Sequence, residues 1–169
     1  AGHIVIMGTA GLGDGNVTPV AEFNIWQDAE AAKIVTESGL DNIIFVGWDA
    51  CLGDCMLNPK EIKEIRESGK LGKFAIDCNK NLLEMNRERF GDDYLDMADP
   101  SAMSAALYPE CIEKCEKYYC EVDVSAGPSY GAVLVDVNNV TGKEPNVYIC
   151  SKLYADKYKE YIYCTLKVK

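Results

Sequence analysis

Ile4-Val5-Ile6-Met7 runs into Gly8-Thr9-Ala10-Gly11-Leu12-Gly13-Asp14-Gly15 and then into Asn16-Val17-Thr18-Pro19-Val20-Ala21-Glu22-Phe23-Asn24. The first four residues form a short continuous apolar run, the pattern of a strand covered on both faces. The glycine-rich loop after it fits neither G-x-G-x-x-G nor a Walker loop, and no Lys-Ser/Thr pair closes it, so it is not a phosphate cradle. Its glycines are expected to let the backbone turn tightly beside a ligand. The third segment places Asn16, Glu22 and Asn24 in a stretch that otherwise reads as buried. If Glu22-Phe23-Asn24 is extended, Glu22 and Asn24 share one face and Phe23 points into the core. A carboxylate beside a carboxamide suits a small, hydroxyl-rich ligand. The structural alternative is that these side chains only satisfy loop backbone groups.

Outward from this stretch, strand and helix signals alternate. Asp28 reads as a helix N-cap with Glu30 in the first turn, and Gly39 as the stop. Asn42 to Trp48 is a second apolar strand. Asn58-Pro59 with Glu61 forms a capping-box start for a helix ending near Gly69. A longer helix is expected from Leu71 to Phe90. Asp99-Pro100 opens another helix, with Asp99 as an ordinary N-cap, running through Met103 to Leu107. Cys120 to Val124, Ala132 to Val137 and Val147 to Cys150 read as strands. Asn138 to Asn146 is a turn, and Asp156 caps a closing helix toward Leu166. The pattern predicts one α/β domain over residues 1–169, with a mixed sheet flanked by helices.

The chain has 169 residues, enough for one domain with a real core. Its formal net charge of -10 repels phosphate backbones, so a nucleic-acid polymer is not an expected partner. No apolar run approaches the roughly 20 residues that span a bilayer, so no membrane partner is expected. The apolar strand begins within three residues of Ala1, which reads as a processed or trimmed end. Eight cysteines, an even number, permit full pairing. Two or more disulfides are expected, and with them a secreted, extracellular chain. Reduced thiols packed as small hydrophobes are the alternative, which fits a cytoplasmic chain equally well. Zinc is disfavoured, because the close pairs are spaced C-x3-C and the one histidine is His3. Asn139-Val140-Thr141 is a glycosylation sequon in a turn, in keeping with secretion.

Several of these segments together resemble the inosine-uridine-preferring nucleoside hydrolase family. They are Ile4 to Gly8, Gly15 to Asn24, Asp28 to Ala32, Val46-Gly47-Trp48-Asp49 and Ala98-Asp99-Pro100-Ser101-Ala102. The tail resembles the family too, through Val122-Asp123-Val124, Tyr130-Gly131, Val135-Asp136 and Pro145-Asn146-Val147. The resemblance implies the C-terminal half of a nucleoside hydrolase-like, Rossmann-like fold, and cleavage of a ribonucleoside N-glycosidic bond by water with calcium as cofactor. It implies that Asn16, Glu22 and Asn24 hold the ribose, that Met7 lines its pocket, and that Asp99 binds calcium and a ribose hydroxyl. Two departures stand out. The family's N-terminal D-x-D-P-G-x-D-D cluster, which carries most calcium ligands and the general base, is not in this sequence, so no catalytic base is expected in this chain. The position before Asp99, where many members carry a histidine, is Ala98. The expected partner is therefore an N-terminal chain carrying the cluster, or else copies of the same chain in a non-catalytic extracellular assembly.

Overall fold

In a computed structural model, which describes residues 2–168, the first apolar run forms β1 (Ile4–Met7). It pairs in parallel with β2 (Ile43–Val46), in register Ile4 to Ile43 and Met7 to Val46. Strand β2 pairs in parallel with β6 (Val147–Leu153), and β6 pairs antiparallel with β3 (Ile112–Tyr118), giving the order β1-β2-β6-β3. A separate two-stranded antiparallel ribbon joins β4 (Cys120–Val122) and β5 (Val133–Val135).

The sheet is covered on both sides, which is why its central strands are apolar without alternation. Ile43 and Phe45 of β2 pack with Ile25, Ala29, Val122, Val147 and Ile149. Val46, on the opposite face, packs with Leu57, Ile65, Leu95, Tyr158 and Ile162. The first layer is supplied by α1 (Phe23–Gln27), α2 (Ala29–Thr36) and the ribbon. The second is supplied by α3 (Pro59–Glu67), α4 (Lys70–Asp77), α6 (Ala98–Leu107) and α7 (Ala155–Leu166).

Local signals account for the helix starts. Asp28 accepts the Ala31 amide at 2.9 Å, and Gly39 after α2 takes a positive φ of 71°. Asn58 and Glu61 form the expected capping box, with Asn58 accepting from the Lys60 and Glu61 amides and Glu61 accepting the Asn58 amide. Asp156 lies inside the first turn of α7, whose N-cap is Tyr154, and so does not cap it.

Three expectations are corrected. The helix expected from Leu71 to Phe90 is two helices, α4 and α5 (Lys80–Phe90), separated at Cys78-Asn79. There the Asn79 side-chain Nδ2 donates back to the Ala75 carbonyl at 2.8 Å, which competes with the helical ladder. Strand β3 was not expected, because a bulge near Lys114 breaks its alternation and leaves mostly Glu and Lys outward. Glu22-Phe23-Asn24 is not extended: Glu22 is the N-cap of α1, and Phe23 stands 48% exposed instead of entering the core. All eight cysteines are free thiols in this structure, and Cys51, Cys55, Cys111, Cys120 and Cys150 are buried.

Candidate active site

The C-terminal ends of the parallel strands β1 and β2 open on one side of the sheet, where ligands of open α/β folds bind. A cavity of about 400 Å³ lies there, and its lining includes Met7, Asn16, Glu22, Asn24, Trp48 and Asp99. All five residues singled out in the sequence thus meet in one place, although they come from β1, the loop after it, α1 and α6.

Glu22 is only 2% exposed, and its two oxygens accept the Asn24 amide at 3.0 Å and the Ile25 amide at 3.4 Å. The structural reading of Glu22 is therefore correct as far as it goes, since the carboxylate caps α1. Burial pushes its carboxyl above the ordinary value. The backbone amides of Asn24, Ile25 and Thr9 oppose that rise, and the charge of Asp99 adds to it. Asn16 Oδ1 accepts the Phe23 amide at 2.9 Å, which leaves its NH2 group free of that contact. Asn24 Nδ2 donates to Met7 Sδ at 3.0 Å and to the Met7 carbonyl at 3.4 Å, so its side-chain oxygen remains as an acceptor.

Asp99 corrects the N-cap expectation. Helix α6 starts one residue earlier, at Ala98, with Met97 as N-cap and no side-chain capping bond. A carboxylate in a first helical turn is favoured by the helix dipole without being used up by it. Asp99 is accordingly exposed toward the cavity and caps nothing.

The structure adds residues that the sequence did not single out. Asp96 is buried and accepts Trp48 Nε1 at 2.7 Å and Asn86 Nδ2 at 2.6 Å, tying α5 to the turn before α6. Arg89 lies over the Trp48 ring at 5.2 Å from its centroid and donates to the Asn16 carbonyl at 3.3 Å. A second cavity of about 670 Å³ adjoins the first and shares Asn16, Phe23, Trp48, Leu82 and Asp96 with it. The spacing Asp96-x-x-Asp99 was the one local signal for this group, and it is too short to distinguish from surface charge.

The glycines behave differently from expectation. None of them lines the cavity. Gly11 has a φ of 72°, and a Cβ there would fall 2.0 Å from Asp49 Oδ1, so its role is to admit the Asp49 side chain. Asp49 Oδ2 accepts the Leu12 amide at 2.8 Å, while its Oδ1 is buried without a hydrogen-bond partner. Burial pushes this carboxyl from 3.8 up to about 6.

Calcium requires about six to eight oxygen ligands. Of the three carboxylates in the cavity wall, Glu22 and Asp96 are engaged by amide and indole donors, and Asp99 alone is uncommitted. Among the described residues no cluster of three or more His, Cys, Asp or Glu side chains is placed to hold a metal. The residues of this chain alone do not fit a calcium ion.

Comparison with known proteins agrees with this geometry. The sequence is 35% identical over 148 residues to the pyrimidine-specific ribonucleoside hydrolase RihB of Escherichia coli strain K12, a match covering 87% of this chain and 46% of that protein. It is equally identical to a putative pyrimidine-specific ribonucleoside hydrolase RihB of Shigella boydii, covering 87% of this chain and 60% of that protein. The chain thus spans about half the length of these relatives. Among solved structures it superposes on a plant nucleoside hydrolase, the PpNRh1 enzyme, with a TM-score of 0.86 at 24% identity, covering 99% of this chain and 54% of that one. A purine-preferring ribonucleoside hydrolase from Gardnerella vaginalis gives a TM-score of 0.79 at 26% identity, with 99% and 54% covered. The family described as inosine-uridine preferring nucleoside hydrolase matches residues 1–160. On the fold, the site and these matches, the chain belongs to the inosine-uridine preferring nucleoside hydrolase family.

Proposed function

We propose that this chain is the ribose-holding part of a nucleoside hydrolase, and that it hydrolyses the N-glycosidic bond of ribonucleosides only with an N-terminal chain that carries the aspartate cluster. The observation that carries this reading is the convergence of Met7, Asn16, Glu22, Asn24 and Asp99 on one cavity, with Asp99 uncommitted. Asn24 Oδ1 and the Asn16 NH2 group offer an acceptor and a donor to ribose hydroxyls. Glu22 keeps lone pairs beyond its two amide bonds, and its negative charge favours a ribose that becomes cationic as the bond breaks. Met7, Trp48 and Met97 line the wall with apolar surface. Calcium would be held mainly by the other chain, with Asp99 as this chain's ligand.

Strand β1 supports the need for a partner. It is an edge strand, hydrogen-bonded to β2 alone, in the parallel part of the sheet. Parallel strands are normally enclosed, and an open apolar edge invites pairing. We take the protein to be extracellular, on its even cysteine count and the Asn139-Val140-Thr141 sequon. A second reading, a non-catalytic extracellular building block assembled from copies of this chain, is favoured by Ala98, which offers no proton to a leaving base, and by the single uncommitted carboxylate.

The test is ribose release from inosine, uridine and cytidine by the native material, with calcium and with a chelator. The enzyme reading expects calcium-dependent release that Asp99→Ala abolishes. No release from material that contains an aspartate-cluster chain contradicts it.

A further inference from the structure

The nucleoside site uses none of the eight cysteines, and six of them have plain surroundings. Cys51, Cys55, Cys111 and Cys120 are buried, and burial pushes their thiols up, Cys55 to about 11 and Cys120 to about 12, which leaves them poor nucleophiles. Cys78 and Cys164 are exposed at the ends of α4 and α7.

Cys115 and Cys150 differ from all of these. They lie directly opposite one another in the antiparallel pairing of β3 with β6, next to the bulge at Lys114. Opposed residues in such a pair have Cα atoms about 4.5–5.5 Å apart. That range falls within the roughly 4.4–6.8 Å that a disulfide bridges. The neighbouring bulge interrupts the ladder and gives the edge strand room to adjust. Cys115 is half-buried on the open edge of the sheet, whereas Cys150 is buried. The Cys150 thiol points to the Lys152 carbonyl at 4.0 Å, and the closeness of the two sulfurs holds Cys115 below the ordinary thiol value and raises Cys150. One sulfur of the pair is therefore reachable, and the other is shielded behind it.

We propose that Cys115 and Cys150 form a reactive dithiol that a small-molecule disulfide oxidises to a cross-strand bridge. The Cys115 thiolate attacks one sulfur of the oxidant. This breaks the oxidant's S–S bond, leaves a mixed disulfide on Cys115 and releases one thiolate. Cys150 then loses its proton to solvent and attacks Cys115 Sγ, which expels the second thiolate. The two protein thiols are oxidised and the oxidant is reduced to two thiols. The bridge ties edge strand β3 to β6 at a residue whose carbonyl accepts the Gly47 amide at 3.0 Å, directly behind the Trp48 wall of the cavity.

The test treats the reduced, folded full chain with oxidised glutathione, caps the remaining thiols with N-ethylmaleimide, and maps the non-reduced digest by mass spectrometry. The expected product is a linked Cys115–Cys150 peptide pair, lighter than its two reduced parts by two hydrogens and split by dithiothreitol. The bridged protein should melt about 5–10 °C higher than the reduced one. In Cys150→Ser the reaction should stop at a glutathione adduct on Cys115, and in Cys115→Ser Cys150 should carry no adduct in the same time. Maleimide on both Cys115 and Cys150 of the oxidised wild-type chain, with glutathione only on Cys78 and Cys164, would overturn the proposal. The wild-type map decides the matter even if a serine variant fails to fold.

Discussion

Glu22 and Asp99 face the same cavity, yet they stand differently toward the fold. Glu22 caps α1 with both oxygens, so Glu22→Ala should lose about 1 kcal/mol of stability together with ribose binding, read from the denaturation midpoint and from nucleoside titration. Asp99 caps nothing, so Asp99→Asn should lower nucleoside binding while leaving the midpoint within about 0.5 kcal/mol of wild type. Sequence alone made Asp99 an ordinary N-cap, because Asp-Pro at a helix start has that pattern, and left open that Glu22 only satisfies loop backbone groups. For Asp99 the difference is two residues of helix phase, with the N-cap at Met97, which local sequence does not resolve.

Asp49 supplies a prediction in pH. Its carboxyl stands near 6 in the folded chain against an ordinary 3.8, so the fold favours the protonated form. Its contribution to stability is therefore greatest at low pH, declines as pH rises from about 4 to about 6, and is flat above. The two-unit rise bounds the change at about 3 kcal/mol, and partial solvation of the side chain reduces it. Asp49→Asn should remove this component from a plot of melting temperature against pH between 4 and 7. An unchanged slope would assign the dependence to other groups.

At the scale of elements, the site depends on how the start of α6 is held. Tyr158 of α7 is fully buried, and its hydroxyl donates to the Met97 carbonyl at 3.0 Å, two residues before Asp99. That carbonyl also accepts the Ser101 amide at 3.1 Å, so Tyr158→Phe should cost about 1 kcal/mol by removing one of its two bonds, and should weaken nucleoside binding more than an equally destabilising change elsewhere. Lys159 of the same helix reaches both Glu61 oxygens at 3.0 Å, so α7 also braces the capping box of α3. Elements with a complete local code were legible: β1, β2, α2 and α3 each carry an apolar run or a cap that fixes them. Strand β3 was not, because its bulge and charged edge erase the two-residue period. The break between α4 and α5 was hidden because Asn79 acts through its side chain, which leaves the apolar spacing of both helices intact.

At the scale of the whole molecule, the net charge of -10 and the small size of the cavity both disfavour a polymer of phosphates as ligand. No helix among the described residues is long and apolar enough to cross a membrane. The family and the cavity-lining Met7, Asn16, Glu22, Asn24 and Asp99 were legible because they lie in one contiguous stretch plus Asp99. The Trp48–Asp96–Asn86 group was not, because its members are brought together only by folding.

The proposed completion by an aspartate-cluster chain is in keeping with the open edge of β1 and the single uncommitted carboxylate of the cavity. The most direct measurement is the intact mass of the native assembly under non-reducing and then reducing conditions, with sequencing of every chain present. The account predicts a second chain bearing the aspartate cluster in a fixed ratio to this one. An assembly made only of copies of this chain would contradict it and leave a structural role.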